Sequence, residues 1–243
     1  ARGLLEEDYQ TLLQAVCRDR ARLAAENESR FRELTDYYSL WVHQIKTPIA
    51  AMDLLLQEDD SPHRGELEME LLKIGQYVEM VLSYLRLDSD STDYILREYP
   101  LDDILRQAVR KFAKMFILKK ITLDFQETGK TVLTDEKWLL FVVEQVLSNA
   151  LKYTPAGGQI RVSVEGWEMY VKIDIADTGI GISEQHQGTI FKRFYREDAV
   201  HDVDGIGIGL YLAREIVTLQ GGYIRVASEV GKGSTFSVFL LRK

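Results

Sequence analysis

Two rhythms of apolar positions divide this chain. Up to Asp90 they recur at helical spacing. Leu67, Leu71, Ile74, Val78, Val81 and Leu85 are separated by 4, 3, 4, 3 and 4 residues, the heptad seam of a helix in a bundle or coiled coil. Leu34, Tyr38, Val42, Ile45, Ile49, Met52 and Leu56 are separated by 4, 4, 3, 4, 3 and 4. Glu58 to Arg64 interrupts the pattern, and Ser61-Pro62 within it joins an N-cap residue to a proline at the first helical position. The spacing predicts two long helices joined by a short loop. Two amphipathic helices cannot bury both stripes alone, whereas a symmetric dimer forming a four-helix bundle would. Upstream, Leu5, Tyr9, Leu12 and Val16 continue a similar rhythm. Arg18 to Arg30 is far more polar and fits either a coiled coil of weak register or a fraying helix.

After a polar, turn-like stretch from Ser89 to Asp93 the rhythm changes. Leu101 to Leu118 reads as a helix. Ile121 to Gln126 and Thr131 to Leu133 read as short strands, and Asp135 caps a strongly apolar helix that runs to about Tyr153. Gln159 to Glu165 and Met169 to Ala176 alternate apolar and polar residues as antiparallel strands do, with Gly166 and Trp167 near the turn between them. A helix over Gly207 to Gln220 and strands at Tyr223 to Ser228 and Thr235 to Leu241 complete an α/β sandwich, one sheet covered by helices. The predicted class is therefore α+β, a helical hairpin that dimerises followed by this sandwich.

Composition narrows the functions open to such a chain. Its 243 residues carry a formal net charge of -8, which argues against general nucleic-acid binding because that needs a basic footprint. Cys17 is the single cysteine, so no disulfide can form within the chain, as suits a reducing compartment. No run of about 18 apolar residues is present to span a membrane. The first residues have neither the features of a signal peptide nor an initiator methionine, so the chain is expected to be a piece of something longer.

Four short segments carry candidate chemistry, in this order. Ser148-Asn149-Ala150-Leu151-Lys152-Tyr153-Thr154-Pro155 lies at a helix end, and Asp177-Thr178-Gly179-Ile180-Gly181-Ile182 follows a strand. Gly205-Ile206-Gly207-Ile208-Gly209-Leu210 opens a helix, and Gly231-Lys232-Gly233-Ser234-Thr235-Phe236 precedes a strand. An asparagine oxygen can ligate Mg²⁺, a hard ion that prefers oxygen. A carboxylate at a strand end can accept an adenine amino group, and glycines beside it let the backbone approach the base. A glycine-rich turn feeding a helix presents free N–H groups to phosphates. Each segment alone is weak: the glycines at 205–209 also read as a simple turn, Asn149 as a buried polar residue and Asp177 as a turn residue. Together, in order and on these elements, they point to a nucleotide site.

The final 145 residues or so resemble the catalytic ATP-binding domain of sensor histidine kinases, within the wider group that includes gyrase and the heat-shock chaperone ATPases. The resemblance implies that Asn149 holds Mg²⁺, Lys152 and Arg196 reach the phosphates of ATP, Tyr153 packs on the nucleotide and Asp177 reads adenine. Gly179, Gly181, Gly205, Gly207 and Gly209 would form the two glycine boxes, and Thr235 would lie in the closing turn. Phe191-Lys192-Arg193-Phe194-Tyr195-Arg196 resembles the phenylalanine box, and Ser183 to Asp204 would be a flexible lid over ATP.

Upstream, His43-Gln44-Ile45-Lys46-Thr47-Pro48 resembles the phospho-acceptor box of the same family. His43 lies about 100° from the stripe residue Val42 and so faces solvent, and a neutral imidazole there is a competent nucleophile. Pro48 inside a helix costs about 3 kcal/mol and bends it. The other histidines, His63, His186 and His201, read as surface residues, and no pair has zinc-ligand spacing. The expected organisation is a signalling helix at 1–30, a dimerisation and phosphotransfer hairpin at 31–90, a linker at 91–98 and the ATP-binding domain at 99–243.

Two departures from the family pattern matter. Many relatives have an acidic residue after the acceptor histidine, and here Gln44 can orient the imidazole but cannot act as a base. Gln145 stands where the gyrase and chaperone branch has a water-activating glutamate, which favours transfer to histidine over ATP hydrolysis. Thr47 occupies the position that orients water for dephosphorylating the partner. The resemblance thus implies a homodimeric kinase, phosphorylated on His43 and passing the group to an aspartate of a response-regulator receiver domain. Segment 41–48 is most similar to kinases with a short membrane sensor, several of which respond to cell-envelope-active peptides. That sensor would precede Ala1 and leave this chain on the cytoplasmic side of the plasma membrane. An ATPase machine and a nucleotide-binding scaffold without transfer are the competing readings.

Overall fold

The computed structural model describes residues 10, 13–14, 16–26, 29–30, 38, 42, 45–46, 49–50, 52–56, 63–87, 95–195 and 207–242. The chain divides into two compact units, Ala1–Ser91 and Thr92–Lys243. His43, Gln44, Thr47, Pro48, Arg196, His201 and Gly205 lie outside the described residues.

In the first unit, residues 16–26 and 52–56 are helical, and Arg64–Leu87 forms one long helix, α1. The two predicted stripes meet. Val42, Val78 and Leu82 form a buried cluster, with Ile45 and Ile49 packed against it. An ion pair between Lys46 and Glu79 ties the two stretches beside this cluster. Leu67 and Ile74, on the predicted seam, remain 49% and 43% exposed.

The second unit is built from β1 (Arg97–Pro100), α2 (Leu101–Lys111), α3 (Ala113–Leu118), β2 (Thr122–Phe125), β3 (Thr131–Thr134), α4 (Glu136–Tyr153), β4 (Gln159–Gly166), β5 (Tyr170–Asp177), α5 (Glu184–Gln187), α6 (Gly209–Leu219), β6 (Tyr223–Glu229) and β7 (Gly233–Leu241). Five strands form the main sheet in the order β2-β4-β5-β7-β6, and β1 pairs with β3 in a separate ribbon. Only the edge pair β2–β4 is parallel; the other pairs in the main sheet are antiparallel.

Strand alternation sets which face is covered. Val171, Ile173 and Ile175 of β5 are fully buried, while Lys172 and Asp174 point the other way and pair with each other at 2.7 Å. Helix α4 packs against β5 and is flanked by α2 and α6. Its Leu139, Val142, Val146, Leu147 and Leu151 are fully buried, which explains why the sequence of this helix is apolar almost all round.

Three boundaries differ from the sequence expectation. Arg97 and Glu98, expected in the linker, are strand residues paired with Thr134 and Leu133. The predicted helix Leu101 to Leu118 is broken at Phe112, where φ −100° and ψ 6° leave helical geometry. That break lets Phe112 and Phe116 both enter the core, at 0% and 7% exposure. The last helix begins at Gly209 rather than Gly207.

Asp135 performs the predicted capping. Its Oδ1 accepts from the N–H groups of Lys137 (3.0 Å) and Trp138 (3.2 Å). Its Oδ2 accepts from the N–H of Ile95 at 3.0 Å, so one carboxylate both starts α4 and anchors the chain entering the unit. Asp135→Ala should therefore cost about 1–2 kcal/mol, read as a lower urea midpoint. Asp135→Asn, which keeps the cap, should lose less.

Candidate nucleotide site

β5 is the central strand, and Asp177 is its last residue. The carboxylate is 9% exposed. Oδ1 accepts from the N–H of Gly179 at 2.8 Å and of Ser234 at 3.3 Å. Oδ2 has no hydrogen-bond partner among the described residues, yet it is not sealed from solvent. Burial raises the Asp177 pKa above the ordinary aspartate range, opposed by the two N–H bonds that favour the ionised form. The result is a buried acceptor with one oxygen fixed and the other open, suited to a ligand N–H.

The loop after Asp177 approaches its neighbours too closely for side chains. A Cβ on Gly233 would lie 1.9 Å from the Asp177 carbonyl oxygen, and φ there is +112°. A Cβ on Gly181, with φ +74°, would lie 2.1 Å from the carbonyl oxygen of Glu229. Glycine is the residue that permits both. Ser228 sits beneath them. Its Oγ accepts from the N–H of Ile182 at 2.7 Å, donates to the carbonyl of Gly233 at 2.9 Å and shares a hydrogen bond with Ser234 Oγ.

The end of α4 joins the same region. The N–H of Ile180 donates to the Tyr153 carbonyl at 3.3 Å, so the turn bearing Lys152 and Tyr153 is tied to the loop bearing Gly179 and Gly181. Asn149 is half-buried one turn earlier, and Lys152 Nζ lies 5.3 Å from the Tyr153 ring centroid. Gln145, a further turn back, is 7% exposed. The open Oδ2, the glycine cradle and the half-buried Asn149 on the adjoining helix fit a purine nucleotide with a hard divalent ion.

The remaining expected residues fall in different places. Gly207 precedes α6 and Gly209 is its first residue. Thr235 lies within β7, paired with Ala176 and Ala227, and it is the N–H of neighbouring Ser234 that meets Asp177. The roles of Ser228 and Ser234 escaped sequence reasoning because they arise from strand register: Ser234 is opposite both Asp177 and Ser228. Of the stretch expected as a lid, residues 183–195 are described. Gln187 Nε2 donates to the carbonyls of Ser228 (2.8 Å) and Ile182 (3.1 Å). Phe191 is buried edge-on against Phe236. His186, expected at the surface, is half-buried and hydrogen-bonds Tyr195 Oη.

Comparison with known proteins agrees with this geometry. Residues 134–243 match the family described as histidine kinase-, DNA gyrase B- and HSP90-like ATPase. Sensor histidine kinase YxdK of Bacillus subtilis is 28% identical over 222 residues, covering 90% of this chain and 68% of that protein. Sensor protein kinase PmrB of Pseudomonas aeruginosa is 33% identical over 248 residues, covering 98% of this chain and 50% of that protein. A crystal structure of histidine kinase ThkA in complex with response regulator protein TrrA is similar in fold, with TM-score 0.58, 20% identity, and 87% and 61% of the two chains covered. The chain thus spans about half to two thirds of its curated relatives.

A carboxyl group whose pKa is raised in the fold favours folding below its unfolded pKa, and that contribution is lost as pH climbs through the folded pKa. At pH 7, ionised Asp177 is therefore a burden on stability. Asp177→Asn keeps an oxygen acceptor for Gly179 and Ser234. It should unfold at an equal or higher urea concentration than the native chain at pH 7. Its ATP affinity, measured by calorimetry, should fall ~10- to 100-fold, the scale of a lost charge-assisted hydrogen bond.

Proposed function

We propose that the chain is the kinase portion of a two-component sensor histidine kinase and that it moves the γ-phosphoryl group of ATP to its own His43. The group then passes to an aspartate of a response-regulator receiver domain. The observation that carries this reading is the Asp177 carboxylate, buried with one oxygen held by two backbone N–H groups and the other open. It ends β5, and the loop that follows is tied to the end of the helix that bears Asn149, Lys152 and Tyr153.

In this reading a neutral ring nitrogen of His43 attacks the γ-phosphorus of ATP. The bond to the β–γ bridging oxygen breaks, and ADP leaves with its electron pair. The ring proton goes to water, because Gln44 has no carboxylate to take it. Asp177 accepts the adenine amino group and Tyr153 packs on the nucleotide. The cations Lys152 and Arg196 reduce repulsion among the phosphates, since phosphoryl transfer depends mostly on positioning and charge stabilisation. Asn149 would hold Mg²⁺, which when bound supplies further neutralisation of phosphate charge. Thr47 would orient a water that dephosphorylates the partner regulator.

Gln145 supports transfer over hydrolysis. It is a buried amide one turn before Asn149, and an amide cannot activate water as a carboxylate does. The exposed seam residues Leu67 and Ile74 of α1 support a homodimer, in which a second copy would cover them. No helix among the described residues is long and apolar enough to cross a membrane. We place the membrane sensor in the part of the relatives that this chain does not span, with both units on the cytoplasmic side.

With γ-labelled ATP and Mg²⁺, the native chain should acquire label that is lost in acid and stable in base, and His43→Gln should acquire none. Equal labelling of both would place the acceptor elsewhere.

A further inference from the structure

A lysine holds the far end of the helix that carries the nucleotide-binding residues. Lys119 Nζ donates to the carbonyl oxygens of Leu151 (2.5 Å), Thr154 (3.0 Å) and Lys152 (3.2 Å). A helix cannot satisfy its last carbonyls itself. The Lys119 backbone adds to the tie: its carbonyl accepts from the N–H of Gly157 at 2.9 Å. Nearby, Thr122 N–H donates to the Gly158 carbonyl at 2.9 Å. The chain before β2 thus clamps the loop that follows α4. Lys119 is half-buried, and that burial lowers its pKa.

The position matters because of charge. A helix C-terminus carries roughly half a negative charge, the wrong sign beside a polyphosphate. Asn149, Lys152 and Tyr153 all lie in the last turns of α4. We propose that Lys119 is a positioning residue of the nucleotide site: its ammonium group offsets the negative end of α4 and fixes the last turn, so that the turn tolerates the phosphates of ATP. This rests on the ATP reading above.

A lysine that only capped the helix would affect stability and leave the folded protein's ligand preference unchanged. The test is therefore the affinity of the full chain for ATP with Mg²⁺ and for adenosine, measured by titration. Lys119→Met should raise the Kd for ATP ~10-fold, the upper range of a helix-end charge effect, and leave adenosine within about twofold. Lys119→Gln keeps N–H donors without the charge and should behave as Lys119→Met does, which secures the test if the methionine variant does not fold. Lys119→Arg keeps the charge and should bind ATP within about threefold of the native chain. ATP and adenosine weakening together, or neither changing, would overturn the inference. A native chain that binds neither ligand would instead overturn the nucleotide reading, and this inference with it.

Discussion

The burial of one carboxylate shapes the second unit. Asp177 ends the central strand of the sheet with 9% of its surface exposed, and an ionised group there is costly unless it is hydrogen-bonded. The loop after it turns back so that Gly179 can donate, and β7 begins where Ser234 can donate. Backbone meets backbone around this turn, and glycine stands at 181 and 233, where a Cβ would strike a carbonyl. The remaining oxygen is left for a ligand. A fold that satisfied both oxygens internally would be more stable but would leave none for the base reading proposed here.

The same region shows how the proposed site is held together by segments around it. Ser228 supports the Ile182 and Gly233 backbones from β6. Gln187 bridges Ile182 and Ser228 from α5. Ile180 fastens the loop to the end of α4, and Lys119 fastens that end to the chain before β2. The residues proposed to face the nucleotide are thus placed by contacts between segments far apart in sequence, over a core of α4 against β5.

Local chemistry was legible in the sequence, and long-range pairing was not. The Asp135 cap, the alternation of β4 and β5 and the helical seam of α1 depend on near neighbours and were readable directly. The break at Phe112 was not, because it follows from where two phenylalanines find a core supplied by other elements. Strand β1 was hidden because its four residues have no alternation to speak of and gain their place from β3. At the site, Asp177 and the glycines stood out as a motif, while Ser228, Ser234 and Lys119 acquired meaning only once register and the third dimension placed them. His43, the acceptor of the proposed transfer, rests on its motif and on its place in the apolar rhythm.

The proposed base-reading atom is the open oxygen of Asp177. The most direct measurement is a crystal structure of this chain with Mg²⁺ and a non-hydrolysable ATP analogue. The adenine amino nitrogen should lie about 2.7–3.2 Å from Asp177 Oδ2, with Oδ1 still held by Gly179 and Ser234. Adenine bound away from Asp177, or Oδ2 turned to a protein donor in the complex, would contradict it.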